Sequence, residues 1–248
     1  MTAMVRSLIA KIAVIVAAAL VAALPQCAFA GGPLTIEAVL AMRGGFPENA
    51  EMHASRHGLS LSEFLSLQNR SAASMLPDEL GKITAIRDAQ AKPSPSEPLQ
   101  KVVPACDVCR YATGEKKVRG FVTLCRDVAH YRTVSDFYYG LRLDYPGTRF
   151  APDMESIGII RFRARNAGKC IVPRSAVLGG EFSDPYPFGG HGFTTGTNGR
   201  LGAPEWVMPE SAELEDGSAI FEMRSDGTER LIATYKRGRF VMEAGSGK

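Results

Sequence analysis

The segment from Gly189 to Pro209, GGHGFTTGTNGRLGAPEWVMP, constrains the fold of this chain most. Glycines at 189, 190, 192, 196, 199 and 202 deny its first half a helix or a long strand. Its character then changes. Glu205 opens a short apolar run, Trp206-Val207-Met208, which Pro209 closes. A carboxylate thus stands where a polar, glycine-rich loop becomes a buried strand. A rigid element fixes the acid while the loop shapes what approaches it, a favourable position for chemistry.

The first 30 residues read as an export signal. Arg6 and Lys11 form a basic start, Ile12 to Leu24 is an unbroken apolar run, and Ala28-Phe29-Ala30 offers small residues for cleavage. The run is short for a membrane span. The expected product spans residues 31–248 as a single secreted or periplasmic domain with no membrane span. The whole chain carries a formal charge of +3, and losing Arg6 and Lys11 leaves +1. A balance this close to neutral gives no electrostatic case for nucleic-acid binding.

Along the chain, Leu34 to Met42 has a β-compatible start and ends at Arg43-Gly44-Gly45. Pro47 to His57 reads as a helix with proline in its first turn. Ser60-Leu61-Ser62-Glu63 is a capping box, and Leu61, Phe64, Leu65 and Leu67 mark the helix after it. Asp78 to Asp88 holds further helical turns. Residues 91–104 read as a Pro/Ser-rich internal linker, on the strength of AKPSPSEP from Ala91 to Pro98. Strands follow at Val118 to Cys125, Ile157 to Arg165 and Lys169 to Leu178, the last two paired around Asn166-Ala167-Gly168. A helix is expected over Asp127 to Gly140. A meander closes the chain, with strands at Ala219 to Arg224, Glu229 to Tyr235 and Arg239 to Met242. Helices first and strands later define an α+β domain.

Three features recur in order. Met42-Arg43-Gly44-Gly45 is followed by Pro47-Glu48. Gly120-Phe121-Val122-Thr123-Leu124-Cys125 comes next, and Ala203-Pro204-Glu205-Trp206-Val207-Met208 comes last. This order resembles the bacterial ADP-ribosyltransferase toxins, especially the pertussis-like and heat-labile-enterotoxin-like catalytic subunits, across roughly residues 36 to 224. The resemblance implies a split β-sandwich with N-terminal helices, and NAD as substrate. It implies a secreted mono-ADP-ribosyltransferase, toxin or effector, acting on a host protein, another macromolecule or water. Arg43 would hold the phosphate and adenosine-ribose side of NAD, Thr123 would contact the nicotinamide ribose, and Glu205 would be the catalytic acid residue. Phe193 would stack near the nicotinamide, in a loop from Phe193 to Gly202 that presents the acceptor. Departures are also present. Ala203 stands where such enzymes carry glutamate or glutamine, and Thr123-Leu124-Cys125 keeps one hydroxyl of three. Nothing corresponds to a long C-terminal helix for a pentameric binding ring. The alternative is a non-catalytic secreted module of the same architecture.

The other conspicuous residues carry less. Cys106, Cys109, Cys125 and Cys170 remain after cleavage, an even number that favours disulfides in an exported chain, with three possible pairings. Cys106-Asp107-Val108-Cys109 has redox spacing, but Arg110 to Lys117 reads as a turn rather than the helix such a pair opens. His53 and His57 share a helix face without a third ligand, so no metal site is expected. His191 between glycines reads as a loop histidine, and Trp206 as a core residue.

Overall fold

The computed structural model describes residues 32–182, 189–197 and 199–244; the expected signal peptide lies outside them. Pro33 to Lys248 form one compact unit. Short helices come first: α1 (Ile36–Leu40), α2 (Phe46–Arg56), α3 (Leu61–Gln68) and α4 (Pro77–Asp88). The strand expected over Leu34 to Met42 is instead α1. Thr35 caps it, its hydroxyl accepting from Ala38 N, and Leu34 and Val39 turn inward. The capping box at α3 forms as read: Ser60 Oγ accepts from Glu63 N at 3.2 Å and Glu63 Oε2 from Ser60 N at 2.7 Å. Pro47 sits in the first turn of α2, as expected.

The later part contains β1 (Leu99–Pro104), α5 (Val108–Ala112), β2 (Gly120–Leu124), α6 (Val134–Gly140), β3 (Ser156–Phe162), β4 (Trp206–Met208), β5 (Ala219–Arg224), β6 (Glu229–Lys236) and β7 (Arg239–Met242). The seven strands pair antiparallel in the order β4-β2-β1-β3-β5-β6-β7. The architecture is therefore α+β. The terminal meander forms as read, with Gly227 and Gly238 at positive φ in its turns.

Three expectations need correction. Residues 99–104 are not linker but a strand that pairs with β3 along its whole length. The helix expected over Asp127 to Gly140 is split into a 3₁₀ turn, Cys125–Val128, and α6. Thr133 restarts it with a capping box, while Asp136 also accepts from Arg132 N at 2.8 Å. Lys169 to Leu178 does not pair with β3, whose neighbours are β1 and β5. Pro173 and two 3₁₀ turns interrupt it, leaving isolated bridges such as Ile171 with Val207.

Side-chain alternation along the strands builds two apolar layers. Leu99, Val103, Ile160, Phe162 and Ile220 pack on one face with α5; Ile157, Ile159, Phe221 and Met223 pack on the other with Val134 and Phe137 of α6. A third cluster joins α2, α3 and α4 around Phe46, Phe64, Ile83 and Phe193.

Candidate functional site

The sheet forks at β2. Its end pairs with β1, Leu124 with Leu99 and Thr123 with Gln100. Its start pairs with β4 instead, Gly120 with Met208, Phe121 with Val207 and Val122 with Trp206. Beyond Gln100 the β1–β2 ladder stops, and Lys101 bridges the gap by donating from Nζ to Phe121 O at 3.2 Å. A cavity of about 350 Å³ lies at this fork, lined by Gln100, Lys101, Thr123, Arg142, Tyr145 and Glu205 among others. Its remaining wall is mainly apolar, from Val102, Phe121, Leu141 and Phe150. A pocket of this size, largely apolar with a few convergent polar groups, suits a small-molecule ligand.

Glu205 is fixed by its backbone. Its N–H donates to Gly192 O at 2.9 Å, and its carbonyl accepts from Arg87 Nη2 at 2.5 Å. The buried Arg87, reaching in from α4, also donates Nε to Gly192 O and lies 4.0 Å from the Trp206 ring centroid. The glycine segment closes tightly on itself: Thr194 N donates to Ala203 O, and a side chain at Gly202 would strike Thr194 O. Thus the glycines allow a sharp excursion that returns the chain to β4 with Glu205 at the cavity.

The electrostatics of the cavity follow from burial. The Glu205 residue as a whole keeps some exposure, but its carboxyl lies deep enough that burial pushes it up to about 8, against the pull of Arg87 and Lys101. Burial lowers Lys101 to about 8, against Glu205 and helped by the Lys116 charge. The two groups line the same cavity without a direct salt bridge between them. Gln100 is held on the wall by Arg161: its Oε1 accepts from Arg161 Nε at 2.9 Å, and its Nε2 is buried without a partner. An acid, an ammonium and a hydroxyl therefore line one pocket. Such a set can exchange protons and stabilise a developing cation.

Two of the sequence-predicted site residues, Thr123 and Glu205, line this cavity together. Arg43 does not. It is exposed at the end of α1, and its Nη1 donates to Leu40 O and Met42 O, capping that helix. The reason is the helix itself: Ile36–Leu40 is helical, and the first strand of the sheet is β1. Phe193 is also displaced. It is 1% exposed and packs between Phe46 and Phe64, with centroids 5.2 and 5.5 Å away, in the socket between α2 and α3. The start of the expected acceptor loop, from Phe193 to Gly196, is accordingly buried. His191 is buried as well; its Nδ1 accepts from Phe193 N at 3.3 Å, a structural use. Ala203 is fully buried in the core.

The four cysteines are free thiols in this structure, Cys106 and Cys109 exposed, Cys125 and Cys170 buried. Cys109 lies in α5, which runs on to Ala112, and the expected turn follows over residues 113–116. Among the described residues, no cluster of three His, Cys, Asp or Glu could hold a metal ion, and no helix is long and apolar enough to cross a membrane.

Sequence reasoning missed Lys101 and Arg142. Lys101 stood at the end of a segment read as linker, where VVP after it was the available strand signal. Arg142 followed a helix whose true start was misplaced. Comparison with known protein families, curated proteins and solved structures finds no match for this chain.

Proposed function

We propose that this is an exported enzyme that cleaves nicotinamide from NAD and passes ADP-ribose to a macromolecular acceptor or to water. The observation that carries the reading is the meeting of Glu205 and Thr123 in one cavity at the fork of the sheet. Lys101, rather than Arg43, is the strand cation that lines this cavity.

The chemistry fits the titration of the site. With its carboxyl near 8, Glu205 holds its proton at pH 7 before substrate binds. Ionising it there costs about 1.4 kcal/mol. A positive charge about 4 Å away returns about 4 kcal/mol at an effective dielectric constant of 20. The nicotinamide ring is cationic, and the ribose gains positive charge as its bond to nicotinamide breaks. Substrate therefore displaces the Glu205 proton, and the resulting carboxylate favours the oxocarbenium-like state over the ground state. Nicotinamide leaves with the bonding electron pair. An acceptor oxygen or nitrogen then bonds to the ribose carbon and loses its proton. Thr123, lining the same cavity, orients the ribose.

A binding module without turnover is the second reading, favoured by Arg43 on the outer surface and by the buried Ala203. One assay separates the two: nicotinamide release from NAD by the mature protein, with and without cell lysate. Turnover is expected, and Glu205→Gln lowers its rate by about 10²-fold or more. Binding of NAD without release, lysate included, supports the module instead.

A further inference from the structure

Helix α6 ends with a Schellman turn. The long bond of that turn runs from Leu143 N to Tyr138 O at 2.9 Å, and Arg142 takes the left-handed position, φ 57°. Glycine is the usual residue there, because a side chain in this conformation costs about 1 kcal/mol. The one other non-glycine at positive φ among the described residues, Arg237, lies in the β6–β7 hairpin turn, where such angles are ordinary.

Arg142 places its side chain between two spaces. It lines the Glu205 cavity and also a neighbouring one of about 390 Å³, walled by Asn69, Thr195, Gly196 and Thr197. Asp144 Oδ2 accepts from its Nη1 at 3.0 Å and steadies the guanidinium; the side chain keeps 27% exposure. The two cavities differ in chemistry. The first is largely apolar and holds the acid; the second offers an amide and hydroxyls. A ligand with two unlike halves joined by an anionic bridge matches that division, with its bridge at Arg142.

We propose that Arg142 is the diphosphate clamp of this site. It holds the bridge of a dinucleotide whose nicotinamide-ribose half occupies the Glu205 cavity and whose adenosine half occupies the cavity beside Asn69 and Thr197. This assignment rests on the NAD reading above. A planar guanidinium donates two parallel hydrogen bonds to phosphate oxygens, which lysine cannot reproduce. The fold keeps an arginine where glycine would be less strained because the side chain is used.

Arg142→Gly tests this, since it relieves the backbone and removes the guanidinium together. The variant should melt at a higher temperature than wild type yet bind ADP-ribose about tenfold or more weakly by calorimetry. Arg142→Lys should recover part of that affinity. In the turnover assay, the ratio of kcat/KM for NAD to that for nicotinamide riboside, which lacks phosphate, should fall by a similar factor. Equal ADP-ribose affinity in wild type and Arg142→Gly overturns the clamp, as does wild type that binds no ADP-ribose. Arg142-dependent binding without nicotinamide release from either substrate leaves the clamp standing and sinks the enzymatic reading.

Discussion

Two places in the interior bring an acid and a base together, and they are built differently. Arg161 on β3 and Glu229 on β6 have side chains 1% and 5% exposed and form a two-pronged pair, with Nη1 donating to Glu229 Oε2 at 2.6 Å. Gln100 Oε1 and Leu34 O take further Arg161 donors, and the Phe221 ring lies 5.0 Å from the guanidinium carbon. Lys101 and Glu205 share a cavity without touching, and burial moves both away from their charged forms. The first arrangement is saturated and leaves no room for a ligand. The second leaves the acid and the ammonium unpaired with each other beside open space. Gln100 joins them: its Oε1 accepts from Arg161, and the residue also lines the cavity. A buried charge that the fold has fully paired serves the fold; one left unpaired at a cavity is set for a ligand.

The largest effect expected from this contrast is at the saturated pair. Arg161→Met strands the Glu229 carboxylate and should cost about 3–5 kcal/mol in urea unfolding. Replacing both partners, Arg161→Met with Glu229→Leu, should recover most of that loss, because two apolar groups leave no buried charge. A double variant as unstable as the single one would break the comparison, since the pair would then be needed for more than its own neutralisation.

Glu205→Gln should do the reverse and stabilise the fold. A carboxyl raised from 4.5 to about 8 binds its proton more tightly when folded. Stability from this group is therefore present below pH 4.5 and falls as pH rises toward 8. Removing the titration should flatten that slope and add on the order of 2 kcal/mol at pH 8. Melting temperature measured from pH 5 to pH 8 reads it. Parallel curves for wild type and variant would mean the carboxyl is solvated and the cavity is not poised.

The difference between the two places also explains what could be read from the sequence. Elements whose signal is local were legible: the Ser60 capping box, Pro47 in its first helical turn, and the Asp226-Gly227 and Arg237-Gly238 hairpins. Glu205 was legible too, because glycine punctuation before an apolar triplet marks where a loop delivers a side chain. The role of β1 was not. Its six residues contain a lysine and end in proline, and they become a strand because β3 pairs along all of them. Tertiary pairing of this kind overrides propensity and leaves no trace in a short window. Arg43 and Phe193 failed for the same reason. Order along the chain said which residue types recur, but the helical socket around Phe46 and Phe64 decided that Phe193 is core. The contact of Gln100 with Arg161 spans 61 residues and has no sequence signature at all.

The smallest expected effect is at Lys101, and its sign sharpens the contrast. An ammonium lowered from 10.5 to about 8 releases its proton more readily when folded. Its contribution to stability therefore rises with pH between about 8 and 10.5, and at pH 7 the folded state carries a charge that burial disfavours. Lys101→Met removes that penalty but also strips Phe121 O of the hydrogen bond that closes the fork. The two effects oppose each other. The net gain at pH 7 should be about 1 kcal/mol or less, and it should shrink toward pH 10 as wild type loses the charge. Chemical denaturation at pH 7 and pH 10 reads both. A loss of several kcal/mol at pH 7 would mean that Lys101 is a saturated structural group like Arg161, and the division of the interior into a spent pair and a poised one would fail at the fork.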